Sequence, residues 1–293
     1  MLSKQNPLIL CLFLFLGVSS AWADSEHPQG TEFPQRIVSL GPINTENVYL
    51  LGADDRLVAN TNYCVRPEAA KEIEKIGSVM QVSIEKIISL QPDLVLATGL
   101  TQMEQIRQLQ SVGIKVVQFS QPASFAEICS QFLQLGRLLG LEDEAQQIVA
   151  RARNKVSEVQ KQVAPLPGQK VFLQVGATPL FASVPSSFTH DFIILAGGVN
   201  IAERQKAGLT SYERVIADNP DVILIAIMGT ESGIASTEKE KWLQIPVIRA
   251  VQEQRIHLIN PDLVCSPSPA TFAEALTVIA TLIHPGLTME ETP

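Results

Sequence analysis

Histidine is scarce in this chain, at four in 293 residues, and aromatic residues make up 5%, with three tyrosines and two tryptophans. A bare-metal site built from converging histidines is therefore disfavoured. His27 lies near the start, His257 in a strand pattern and His284 near the end, which leaves only His190 close to a candidate site. Basic residues are outnumbered, 22 Lys and Arg against 30 Asp and Glu. A net charge of −8 and a pI near 5.1 exclude nucleic acid or an anionic lipid surface as the main partner. Four cysteines in a chain this long exclude a disulfide-stapled miniprotein. No apolar run reaches the ~20 residues of a membrane-spanning helix. The chain also lacks G-x-S-x-G, H-E-x-x-H, a phosphate-binding P-loop and G-x-G-x-x-G after a strand, so no catalytic residue and no cofactor is expected.

What is present is a hydrophobic fraction of 46%, enough for one large or two ordinary domains. Residues 1–23 combine Lys4, an apolar stretch from Leu8 to Val18 and Ala21-Trp22-Ala23 before Asp24. That pattern predicts a signal peptide cleaved after Ala23 and export to an oxidising compartment, a periplasm.

The chain also repeats itself. Ser83-Ile84-Glu85-Lys86-Ile87-Ile88-Ser89-Leu90-Gln91-Pro92-Asp93-Leu94-Val95-Leu96 matches, 128 residues later, the segment from Ser211 through Glu213, Pro220 and Asp221 to Leu224. Each copy reads as a short amphipathic helix, a Pro-Asp turn and a continuously apolar strand, the type buried on both faces of a parallel sheet. Further strands are predicted over 36–40, 56–59, 115–119, 170–174 and 255–259. Helices are predicted over 45–51, 103–112, 125–139, 142–163 and 188–196, the last stopped by Gly197-Gly198. The expected fold is α/β: two Rossmann-like lobes with central parallel sheets, joined by one long backbone helix, with a ligand cleft between them. The first lobe spans 24–139, the connecting helix 140–167 and the second lobe 168–293. The helix over 142–163 would be roughly 33 Å long at 1.5 Å per residue.

Arg36-Ile37-Val38-Ser39-Leu40-Gly41-Pro42, Tyr63-Cys64 followed by Pro67-Glu68-Ala69, Gln91-Pro92-Asp93-Leu94-Val95, Gly197-Gly198-Val199-Asn200 and Trp242 before Ile245-Pro246-Val247 follow one another in order. Together they resemble the helical-backbone (class III) periplasmic solute-binding proteins of ABC importers, in the cobalamin, haem and ferric-siderophore branch. The resemblance implies a monomeric carrier that captures a metal chelate and delivers it to a permease and its ATPase. It also implies docking through a glutamate on each lobe, here Glu85 and Glu213, the glutamates placed identically in the two repeats. A ligand-sensing protein reporting to a membrane receptor, a carrier of another small solute such as an oxyanion, and an exported enzyme stand as alternatives.

In parallel α/β lobes ligands meet the loops after the strands' carboxyl ends. Those loops span 41–45, 60–67, 98–102, 120–124, 175–187, 228–232 and 260–268. From them and the segments beside them, Asn44, Tyr63, Cys64, Arg66, Phe181, Phe188, Arg204 and Cys265 are the candidate ligand-binding residues. Arg66 and Arg204 suit carboxylates or an oxyanion. Cys64 and Cys265 read either as isolated thiols or, if both face the cleft, as soft-metal ligands or a disulfide. Cys129 falls in a helix's apolar pattern and reads as core.

Overall fold

The computed structural model describes residues 33–228 and 233–287. The signal sequence expected over 1–23, with Lys4, Cys11 and Trp22, and His27 beyond it, lies outside the described residues.

The first half of the chain runs β1 (Ile37–Ser39), α1 (Pro42–Leu50), β2 (Leu57–Asn60), α2 (Ile84–Ser89), β3 (Leu94–Thr98), α3 (Met103–Ser111) and β4 (Lys115–Phe119). Its four strands are all parallel, in the order β2-β1-β3-β4. Two long helices follow, α4 (Phe125–Leu139) and α5 (Glu142–Val163). The second half runs β5 (Gln169–Gly176), β6 (Phe181–Ala182), α6 (Thr189–Leu195), β7 (Gly198–Asn200), α7 (Tyr212–Asp218), β8 (Val222–Ile225), α8 (Ile234–Leu243), α9 (Arg249–Gln252), β9 (Ile256–Leu258), α10 (Pro261–Cys265) and α11 (Pro269–Ile283). Here β5 pairs in parallel with β7 and β8, and β8 with β9, so the order β7-β5-β8-β9 repeats that of the first sheet. The short β6 adds antiparallel to the far end of β5.

The sequence repeat is a repeat of structure. Ser83 and Ser211 cap α2 and α7, their hydroxyls accepting the backbone N–H of Lys86 and Arg214. Gln91 and Asn219 both adopt left-handed φ, 47° and 46°, in the turn into the next strand. The strands are then buried on both faces. In β3, Leu94 and Leu96 enter the core shared by the two sheets, while Val95 and Ala97 enter the first lobe's own core. In β8, Val222 and Leu224 join the shared core and Ile223 and Ile225 the second lobe's own. Continuous apolar runs follow directly from this two-sided burial.

The shared core runs through a central helical layer, not through an isolated connecting rod. In α5, Ala145, Val149, Ala152, Val156, Val159 and Val163 form a buried stripe at helical spacing. α4 turns back onto α5 through Gly140, whose φ of 74° ends α4 in the left-handed conformation. A Cβ on Gly136 of α4 would come within 2.4 Å of Ala145, so the glycine sets how closely the two helices approach. α11 packs against α4, α5 and α6, an element the sequence reading did not anticipate. Its Phe272 stacks on Phe125 of α4 (4.6 Å between centroids) and on Phe192 of α6 (4.2 Å). Among the described residues, no helix is long and apolar enough to cross a membrane.

Candidate ligand-binding cleft

The two sheets present their carboxyl ends to a shared cavity of about 830 Å³, within the usual range for small-molecule pockets. Pro42 follows β1, Tyr63 follows β2, Thr98 and Leu100 end or follow β3, and Ser120 follows β4. From the second lobe come Phe188 ahead of α6, Met228 beyond β8, and Cys265 to Pro267 at the end of α10. The lining is largely apolar. Its polar side chains are the hydroxyls of Thr98, Ser120 and Ser266, the amides of Gln121 and Gln131, the Tyr63 phenol and the Cys265 thiol. No described lining residue carries a charge.

Three of the candidate ligand-binding residues reach this cavity. Tyr63 lines it with half of its surface exposed. Phe188 supplies an aromatic wall that packs edge-on against Phe192, 6.4 Å between centroids. Cys265 reaches it too, its Sγ 3.5 Å from the Ala226 carbonyl. Burial, reinforced by Asp262, pushes the Cys265 thiol up to about 11.

The other five do not line it. The Asn44 amide turns inward and donates to the carbonyls of Leu96 and Ala97, tying α1 to β3. Cys64 is fully buried, its Sγ 3.1 Å from Thr45 Oγ1 and 3.2 Å from Thr61 Oγ1. A Cys64–Cys265 disulfide or shared metal is thus not what the fold builds: both thiols are free, and Cys64 is absent from the cavity lining. Arg66 is held in an ion pair with Glu46 (2.8 Å) and donates to the Ser266 carbonyl across the cleft (3.2 Å). Phe181 on β6 and the exposed Arg204 are also absent from the cavity lining. Cys129 is buried in α4, as its apolar pattern predicts. His190 pairs with Asn200, 3.0 Å from Nδ1 to the amide nitrogen. No group of three or more His, Cys, Asp or Glu side chains among the described residues is arranged to hold a metal ion.

Sequence reasoning placed the cleft loops and missed much of their content. Val79, Leu100 and Met228 are apolar residues with no chemical signature, yet they line the cavity. The two lobes are also bonded beside the cleft. Thr271 of α11 lies 3.3 Å from the second oxygen of Glu46, and Asp191 of α6 accepts the backbone N–H of Phe125 at 2.7 Å, at the start of α4.

Glu85 and Glu213 occupy the first turns of α2 and α7, both exposed. A hydrogen bond from the Ser211 hydroxyl holds the Glu213 carboxyl below its ordinary range. Each helix leads through a short turn into its strand, so its N-terminus lies toward the carboxyl edge of the sheet, the edge that carries the cleft.

Residues 37–263 match the model of a family described as periplasmic binding protein. An ABC transporter substrate-binding lipoprotein of Bacillus subtilis (strain 168) is 31% identical over 260 residues, spanning 86% of this chain and 81% of that protein. A vitamin B12-binding protein of Yersinia pseudotuberculosis (serotype O:3, strain YPIII) is 31% identical over 235 residues, 78% of this chain and 82% of the relative. The crystal structure of the periplasmic vitamin B12-binding protein BtuF of Vibrio cholerae superposes with a TM-score of 0.73 at 26% identity, covering 85% of this chain and 96% of that one. With the duplicated sheets, the inter-lobe cavity and these likenesses in agreement, this chain belongs to the periplasmic binding protein family.

Proposed function

We propose that the protein is the solute-binding component of an ABC importer, capturing a metal chelate (a ferric siderophore, cobalamin or haem) in the cleft and delivering it to a permease. The observation that carries this is the large, mostly apolar cavity between the carboxyl ends of two like sheets, whose described lining residues carry no charge. Such a lining suits a bulky organic chelate whose metal is already satisfied by its own ligands. Its described residues offer a bare cation no donor cluster and an oxyanion no free cation. The vitamin B12-binding relatives support the same class. Residues 1–23 direct the chain out of the cytoplasm and are removed after Ala23. The mature monomer binds its ligand without covalent chemistry and without a resident cofactor.

Glu85 and Glu213 are the docking residues in this reading. A two-lobed carrier facing a roughly two-fold permease must present like charges at equivalent places, and these two glutamates hold the same position in both repeats. The shared core along α4, α5 and α11 limits the lobes to modest hinge motion on binding.

The test is a titration of the purified mature protein against cyanocobalamin, haemin and several ferric siderophores, followed by the visible absorbance of each chelate. Saturable one-to-one binding of one of them at micromolar or tighter affinity is the expected result. Absence of binding across the set contradicts the proposal.

A further inference from the structure

Across the seven loops at the carboxyl ends of the strands, Arg66 is the only lysine or arginine. The fold holds it in an internal ion pair. The Glu46 side chain is 9% exposed and meets Arg66 at 2.8 Å through one oxygen, while its other oxygen takes the Thr271 hydroxyl at 3.3 Å. Arg66 directs the same terminal nitrogen to the Ser266 carbonyl at 3.2 Å. A carboxylate buried this far is costly without its partner, so neither member of the pair is easily released.

The pair nevertheless stands beside the ligand cavity. The narrow space around it is lined by Pro42, Tyr63, Met228 and Ser266, all of which also line the main cavity. Asp262 lines that same narrow space and adds a second negative charge. A carboxylate-bearing ligand entering the cleft would therefore gain Arg66 only by stripping it from Glu46, in view of Asp262. A ligand edged with amides or hydroxyls needs no cation and finds neutral partners in Ser120, Gln121 and Gln131.

We propose that Glu46 sets the charge selectivity of the cleft: by holding Arg66 in an internal ion pair, it favours a chelate without net charge, edged with neutral amide groups, over one carrying carboxylates. Glu46 acts through Arg66 and touches no ligand itself. The inference rests on the chelate-carrier function proposed above and deepens it.

Cyanocobalamin, edged with amides, and haemin, with two propionates, are the probes. Each is titrated into the wild-type mature protein, into Glu46→Gln, and into Glu46→Gln combined with Arg66→Gln. The wild type should bind cyanocobalamin at least about 100-fold more tightly than haemin. Glu46→Gln frees the guanidinium for a charge-assisted contact and should narrow that ratio by about tenfold or more, through tighter haemin binding. The double variant removes both charges and should restore the wild-type ratio. It also serves if Glu46→Gln alone fails to fold. A wild type that binds haemin as tightly as cyanocobalamin overturns the proposal and leaves the carrier function standing. A single variant with an unchanged ratio, or a double variant with weakened haemin binding and an unchanged cyanocobalamin affinity, overturns it as well. Binding of neither probe and of no ferric siderophore contradicts the carrier function itself, and this inference with it.

Discussion

Asp93 and Asp221, 128 residues apart in sequence, perform the same task in the two lobes. Each precedes a central strand and accepts a backbone N–H at the start of the neighbouring strand: that of Arg36, just before β1, at 3.0 Å, and that of Lys170, the second residue of β5, at 2.8 Å. Each returns a bond through its own N–H, to the Arg36 and Lys170 carbonyls at 3.0 and 2.8 Å. The Pro-Asp step of the repeat thus fixes where strand pairing begins in both sheets. The two sites differ in burial: Asp221 is 8% exposed and also meets Arg249, whereas Asp93 is exposed. Asp221→Ala should therefore lower unfolding stability by about 2 kcal/mol and Asp93→Ala by about 1 kcal/mol. Urea denaturation of both variants measures the order.

Cysteine chemistry gives a second check. With Cys64 and Cys129 buried and the Cys265 thiol raised to about 11, the native protein should present almost no thiolate at neutral pH. At pH 8 the thiolate fraction of Cys265 is roughly one in a thousand. Iodoacetamide labelling of the native protein should be slow at pH 8 and accelerate about tenfold per unit toward pH 10, with the label on Cys265. Bound ligand should suppress it, because Cys265 lines the cavity.

His284 ends α11, closed in with its Nε2 2.9 Å from the Ala196 carbonyl, and burial holds its pKa below the ordinary value of 6.5. The unfolded chain then takes up a proton near pH 6.5 before the folded protein does. This contribution to stability is full above pH 6.5 and declines as pH falls toward the lowered value in the folded state. His257, similarly depressed by burial, adds to the same slope. Thermal melts from pH 7.5 to 5 should show a falling Tm, with a shallower fall in His284→Gln than in the wild type.

The docking role proposed for Glu85 and Glu213 separates delivery from capture. Glu85→Ala with Glu213→Ala should abolish ligand uptake in cells while leaving the affinity of the purified protein unchanged, because both side chains are exposed and neither lines the cavity. A drop in affinity would place them in the binding site instead.

Much of the architecture was legible because it rests on local signals. Continuous apolar strands, the Pro-Asp turns and Gly197-Gly198 marked the elements, and the predicted spans of β4, α4 and α5 agree with the structure residue for residue. α11 was not legible: it opens in Ser266-Pro267-Ser268-Pro269, which reads as a loop. Its residues are also apolar on most sides, because four helices, α4, α5, α6 and α10, pack against it. The cleft loops could be located from topology, but the direction of each side chain could not. Arg66 looked available to a ligand until the fold brought Glu46 against it from the preceding helix, and Cys64 looked like a cleft residue until Thr45 and Thr61 enclosed it. Pairings of that kind are made by tertiary contact and leave no pattern along the chain.

The central claim, that one chelate binds between the lobes, is tested most directly by blocking that space. Ser120 is exposed and lines the cavity, so Ser120→Trp fills it with little cost to the core. For whichever chelate the wild type binds one-to-one, equilibrium dialysis should show at least about a hundredfold loss of affinity in Ser120→Trp, with Tm unchanged. Full affinity in that variant would place the ligand outside the cleft and contradict the account.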